Sequence, residues 1–245
     1  MGVEYKHYLI PKPNSFRPEP EVLLSFVESL QTEGWLWRPA MPPECVTMRT
    51  PPATQGGKYM RAQPVPLPIE LPWLEGVLKS DFELRFDVQG LGFGDQPARY
   101  PFVNKSPVSH EDTYYEIMIE SSVDYVYHTS EMIEPFKTTS CRCGVQLEYA
   151  LAYEGGIVYS VKLKTECPGC KRPFDPSNLE APYRNGFTGE YAAPIKGGVS
   201  YLFAVIIDCG NCIPEADTEI SIRPELKELC ERQFGTPFHD VGDFY

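Results

Sequence analysis

Apolar and polar positions along the chain fall into two rhythms, one of period two and one helical, and together they predict a short series of elements. Residues 3–10, Val-Glu-Tyr-Lys-His-Tyr-Leu-Ile, are rich in β-favouring side chains and end at Pro11 and Pro13, so a strand is predicted there. After Pro18 and Pro20, Val22, Leu23, Phe26, Val27 and Leu30 recur at helical spacing, and Gly34 stands where such a helix stops. Residues 81–88 alternate apolar with polar side chains, the mark of a half-buried strand. Residues 113–120 and 123–128 read as two more strands, with Ser121-Ser122 as the turn of a hairpin. The run from Val199 to Asp208 is nearly all apolar, which places it in the middle of a sheet. Pro224 then opens a helix with Leu226, Leu229, Cys230 and Phe234 on one face, ending before Gly235.

Both ends of the chain thus repeat one plan: a strand, a polar connection, a proline-initiated helix and a glycine. The predicted fold class is α+β, a single antiparallel or mixed sheet covered by two helices near 20–33 and 224–234. Residues 1–245 form one domain in this reading, with a metal-binding hairpin over 139–176 inserted and projecting from it. Between Trp35 and Pro72 the prolines are too dense for a helix, and Trp35, Trp37 and Trp73 suggest an ordered wrap over the core. A long ordered loop of this kind is also a candidate interface, ranked below packing. Gly90, Gly92 and Gly94 follow a strand, but without the spacing of a phosphate-binding loop they are read as a turn.

The chemistry concentrates in cysteines. Cys141-Arg-Cys143 and Cys167-Pro-Gly-Cys170 stand at the two ends of a predicted hairpin whose strands flank Glu154-Gly155-Gly156. Four thiolates brought together in this way suit a tetrahedral cation without geometric preference and leave no position open for a substrate. Gly144 and Gly169 relieve the backbone where amides approach sulfur. Buried thiols or a disulfide pair are the bland alternatives, and iron–sulfur chemistry is a weaker competitor. The stretch resembles a zinc ribbon over residues 141–170 alone, although its first pair has one intervening residue where the second has two. The resemblance implies one structural Zn2+ held by Cys141, Cys143, Cys167 and Cys170.

Composition narrows the rest. Thirty-four acidic residues against 22 basic ones give a net charge of −12, which disfavours phosphate backbones and anionic membranes and favours a basic protein partner. No apolar run reaches the roughly 20 residues of a membrane span, and the amino-terminal residues lack the pattern of a signal peptide, so a cytoplasmic location is expected. Asp208-Cys209-Gly-Asn-Cys212 is the other pairing of thiols, but Ile213-Pro214-Glu215 is a poor helix start for an activated cysteine. With no hydrolase, metalloprotease or nucleotide-binding motif, the leading expectation is a non-catalytic, zinc-containing protein-binding module, of the kind of a bacterial immunity protein or inhibitor that masks a basic enzyme. The first alternative is a thiol-dependent enzyme using Cys209 and Cys212, with His239-Asp240 to orient a nucleophile. The second is a nucleic-acid-associated zinc-ribbon protein.

Overall fold

A computed structural model describes residues 3–37, 41, 43–49, 62–89, 99–103, 114–128, 140–145, 147, 160–162, 165–175, 180–181, 190, 192–196, 200–212 and 221–244. The chain runs β1 (Val3–Pro11), α1 (Pro20–Thr32), a short 3-10 turn, β2 (Val46–Arg49), β3 (Gln63–Pro64) and α2 (Leu71–Val77). It continues through β4 (Phe82–Gln89), β5 (Tyr114–His128), β6 (Ser160–Lys162), β7 (Glu180–Ala181), β8 (Ile195–Lys196), β9 (Tyr201–Cys212), α3 (Pro224–Phe234) and β10 (Phe238–Phe244). One sheet has the order β10-β1-β9-β5-β4-β2-β3, with β6 added on β5, and every pairing in it is antiparallel. β7 and β8 form a separate two-stranded ribbon. No helix among the described residues is long and apolar enough to cross a membrane.

The expected cover of two helices over one sheet is overturned. The described structure is mainly antiparallel sheet, and its three helices are short, at 13, 7 and 11 residues. The added helix, α2, takes Pro72 in its first turn, where a missing N–H costs nothing, so the proline-rich stretch does yield a helix at its edge. Three further strands, β2, β3 and β10, widen the sheet; β10 pairs with β1 from Tyr5–Phe244 to Pro11–Phe238. β9 lies between β1 and β5, with Tyr201 through Asp208 buried, as its continuous apolar run requires.

The hairpin expected at Ser121-Ser122 is absent, because β5 passes straight through it. The register against β9 shifts between Ser121–Phe203 and Val126–Tyr201, so the extra residues are taken up as an irregularity within the strand. Asp81 holds it: its Oδ1 accepts both the Ser122 hydroxyl and the Val123 N–H at 2.8 Å. The glycine turn at 90–94 lies outside the described residues.

The two faces of the sheet are covered differently. On the first, Leu9, Leu84, Phe86, Ile117, Phe203 and Val205 pack with Leu23, Phe26, Leu30, Leu226, Leu229 and Cys230 of α1 and α3. Phe234 joins these layers, with ring centroids 4.8 Å from Phe26 and 5.0 Å from Phe203. Trp35 and Trp37 are buried in the same core, so these two tryptophans of the proposed wrap serve packing. On the second face a smaller core gathers Tyr8, Ile10, Met118, Tyr201, Ala204, Ile206 and Val241, and it is closed by Leu147 and Cys167 with Cys141 and Phe174 against them. The two cysteine turns therefore lie against the second face of the sheet.

Candidate metal centre

Two tight turns carry the four cysteines. In the first, the Gly144 N–H donates to the Cys141 carbonyl and the Cys141 N–H to the Val145 carbonyl, both at 2.8 Å. Gly144 sits at φ +84, a left-handed conformation open to glycine at little steric cost. In the second, the Cys167 N–H donates to the Arg172 carbonyl at 2.9 Å and the Lys171 N–H to the Cys167 carbonyl at 3.0 Å. The turns are pressed together: a Cβ on Gly169 would lie 2.7 Å from Val145 Cγ2. The strand and turn expected between them fall mostly outside the described residues, and Ser160–Lys162 of the expected return strand pairs with β5.

This geometry brings all four predicted residues together. The sulfurs of Cys141, Cys143, Cys167 and Cys170 lie within 4.8 Å of one another, with Cys141–Cys170 at 3.6 Å and Cys143–Cys167 at 3.7 Å. A tetrahedron of sulfurs about 2.3 Å from a central ion has edges of about 3.8 Å, so the set fits a thiolate-bound cation. The same distances are far beyond the roughly 2.05 Å of a disulfide, and all four residues are free thiols.

Backbone amides prepare the set for anionic sulfur. The Cys170 N–H is the largest influence on Cys167; against the cost of burial, and with the Gly169 N–H and the neighbouring sulfurs, it lowers that thiol to about 6. At Cys143 the Val145 N–H also favours the thiolate, but desolvation and the three adjacent sulfurs outweigh it and raise the thiol to about 11. A cation that displaces the protons removes this conflict between like-charged sulfurs.

No protein-family model, curated protein or solved structure matches this chain.

The residues of the thiol-enzyme alternative are not gathered in the same way. Cys209 to Cys212 continue β9, with Cys212 in register with Val3, so the pair is not at a helix amino terminus. His239 is in register with Ile10, toward the other end of β1. Burial, with Lys12 and Lys227 nearby, lowers His239 to about 4 and keeps it neutral at neutral pH. Asp240 is engaged by His7, whose Nδ1 lies 3.1 Å from its Oδ1 in a buried pair.

One constellation went unseen in the sequence. Lys6, Asp208, Glu116 and Asp87 occupy successive paired positions across β1, β9, β5 and β4, on the face that carries the cysteine module. Lys6 Nζ is 3.0 Å from Asp208 Oδ2, and Arg85 Nη1 is 2.7 Å from Glu116 Oε2. Lys6, Glu116 and Asp208 are buried. Desolvation, opposed by Arg85 and reinforced by Asp87 and Asp208, pushes Glu116 up to about 8, so it holds a proton at neutral pH. The available signal was a charge at an inward position of an otherwise apolar strand, as at Asp208.

Proposed function

We propose that Cys141, Cys143, Cys167 and Cys170 bind one structural Zn2+, and that the zinc-containing chain is a non-catalytic binding module for a basic protein. The observation that carries the metal assignment is the convergence of four thiols from two turns to within 4.8 Å. Zinc suits an all-thiolate tetrahedral set and takes no part in redox chemistry, and four protein ligands close the site to substrate. Bound there, it would supply folding energy to the module. Elemental analysis of protein prepared without added metal tests this: about one zinc per chain is expected, and a folded, zinc-free preparation overturns it.

The partner reading rests on the net charge of −12, which accelerates encounter with a basic surface and repels an acidic one. An immunity-type or inhibitor role, masking a basic enzyme, is the form of binding this charge favours. A basic protein retained in stoichiometric amount on the immobilised chain at low salt, and released as screening rises, supports the reading. Retention that ignores salt, or an acidic partner, removes its basis.

A further inference from the structure

We propose that the Cys141–Cys170 edge of this centre is an oxidation site, which peroxide converts into a disulfide between the two turns with loss of the zinc. The inference rests on zinc occupying the four-thiol centre.

The four sulfurs differ in their surroundings. Cys143 and Cys170 are exposed, Cys141 is half-buried, and Cys167 is fully buried within the second-face core. Cys167 also accepts N–H bonds from Cys170 and Gly169, which hold its sulfur in place. The Cys143–Cys167 edge therefore contains one sulfur that is shielded and fixed. The Cys141–Cys170 edge has an exposed sulfur and a half-buried one, only 3.6 Å apart. A peroxide reaching the centre meets this second edge with both of its reacting groups in range.

The step balances without a further reagent. The Cys170 thiolate attacks one peroxide oxygen, the O–O bond breaks, and a sulfenic acid and hydroxide result. The Cys141 thiolate then attacks the Cys170 sulfur, the S–O bond breaks, and a second hydroxide leaves as the S–S bond forms. Two thiolates have lost two electrons, peroxide has gained them, and two protons from solvent complete two waters. The two thiolates that remain, Cys143 and Cys167, no longer make a closed tetrahedral set, and the zinc departs. Contraction from 3.6 Å to a bond is short because the turns already touch at Gly169 and Val145. The new bond keeps the two turns joined after the zinc departs, so a reducing dithiol can restore the original set.

The test uses the full chain with its zinc content measured beforehand. Hydrogen peroxide is added, zinc release is followed with a chromogenic chelator, and disulfides are located by mass mapping of unreduced peptides. The expected result is one zinc released per chain, a Cys141–Cys170 cross-link, and recovery of zinc binding after dithiothreitol. Cys170→His, which retains a three-cysteine, one-histidine ligand set, is expected to keep its zinc under the same exposure. Zinc retained by the unaltered chain overturns the inference, as does release through any other pairing of the four cysteines, the exposed Cys143 and Cys170 included, in place of the named one. A chain without zinc before peroxide overturns the zinc reading itself, and the inference with it.

Discussion

Replacing Glu116 with Gln tests whether the buried charge row holds a proton. Glu116 is buried, and its carboxyl is raised from 4.5 to about 8, first by desolvation and then by Asp87 and Asp208, against the pull of Arg85. Between those two pH values the folded chain keeps a proton that the unfolded chain has lost. Stability from this group is therefore complete below pH 4.5 and falls as pH rises toward 8. At about 1.36 kcal/mol for each pKa unit, the cost reaches roughly 3 kcal/mol at pH 7 and about 4–5 kcal/mol once Glu116 ionises. Gln cannot ionise, and its amide can still donate to Asp87. Glu116→Gln should thus be more stable than the parent by about 1–3 kcal/mol at pH 7, less than the full cost because the amide fits Arg85 poorly. The gain should vanish near pH 4.5. Urea unfolding at several pH values between 4.5 and 8 gives the difference directly. If Glu116→Gln is destabilised by a similar amount throughout, Glu116 is an ionised partner of Arg85 and the reasoning fails.

Three further outcomes follow from the geometry. Gly169→Ala places a methyl group 2.7 Å from Val145 Cγ2, and the stiff valine must shift, so metal retention against a competing chelator should weaken by about 1–3 kcal/mol. Phe234→Ala removes the ring shared by Phe16, Phe26, Phe203 and Phe238, and should cost about 3–5 kcal/mol in denaturant unfolding with no change in metal content. If the proposed ion orders the turns, stripping it should raise amide exchange at Cys141, Gly144, Cys167 and Lys171 well before β9, which is held by neighbours on both sides.

Elements whose cause is local were legible in the sequence. α1 and α3 carry their apolar stripe, an opening proline and a stopping glycine within about a dozen residues, with Gly34 at φ +83 and Gly235 at φ +63. The spacing of the four cysteines is equally local and was enough to bring together the residues that converge. What failed depends on distant residues. Ser121-Ser122 has the composition of a turn, and only Asp81, some 40 positions away, settles it as an irregularity in one strand. β10 contains Gly242 and two aspartates and acquires its strand form from pairing with β1. α2 is too short for periodicity to register. The charge row draws on four strands and could not be assembled from any one of them.

The difference between the two faces explains why a metal would be retained here. On the first face the sheet, the short helices and the buried tryptophans share a broad apolar layer, and such a layer is stabilising by itself. The second face offers fewer apolar contacts and shares its area with Lys6, Asp208 and Glu116, which contribute little net stability when buried. The segment lying on it meets the sheet through Leu147, Cys167 and Phe174, with Cys141 beside them. Among the described residues this is a small apolar footprint to set against the entropy of ordering two separated turns. Four metal–sulfur bonds at the point where the turns meet would supply the missing term, beside the buried residue, Cys167, through which the turns join the core. Loss of the ion should consequently loosen the second-face cover while the helical face stays folded, so the two sides of one sheet are stabilised by separate means.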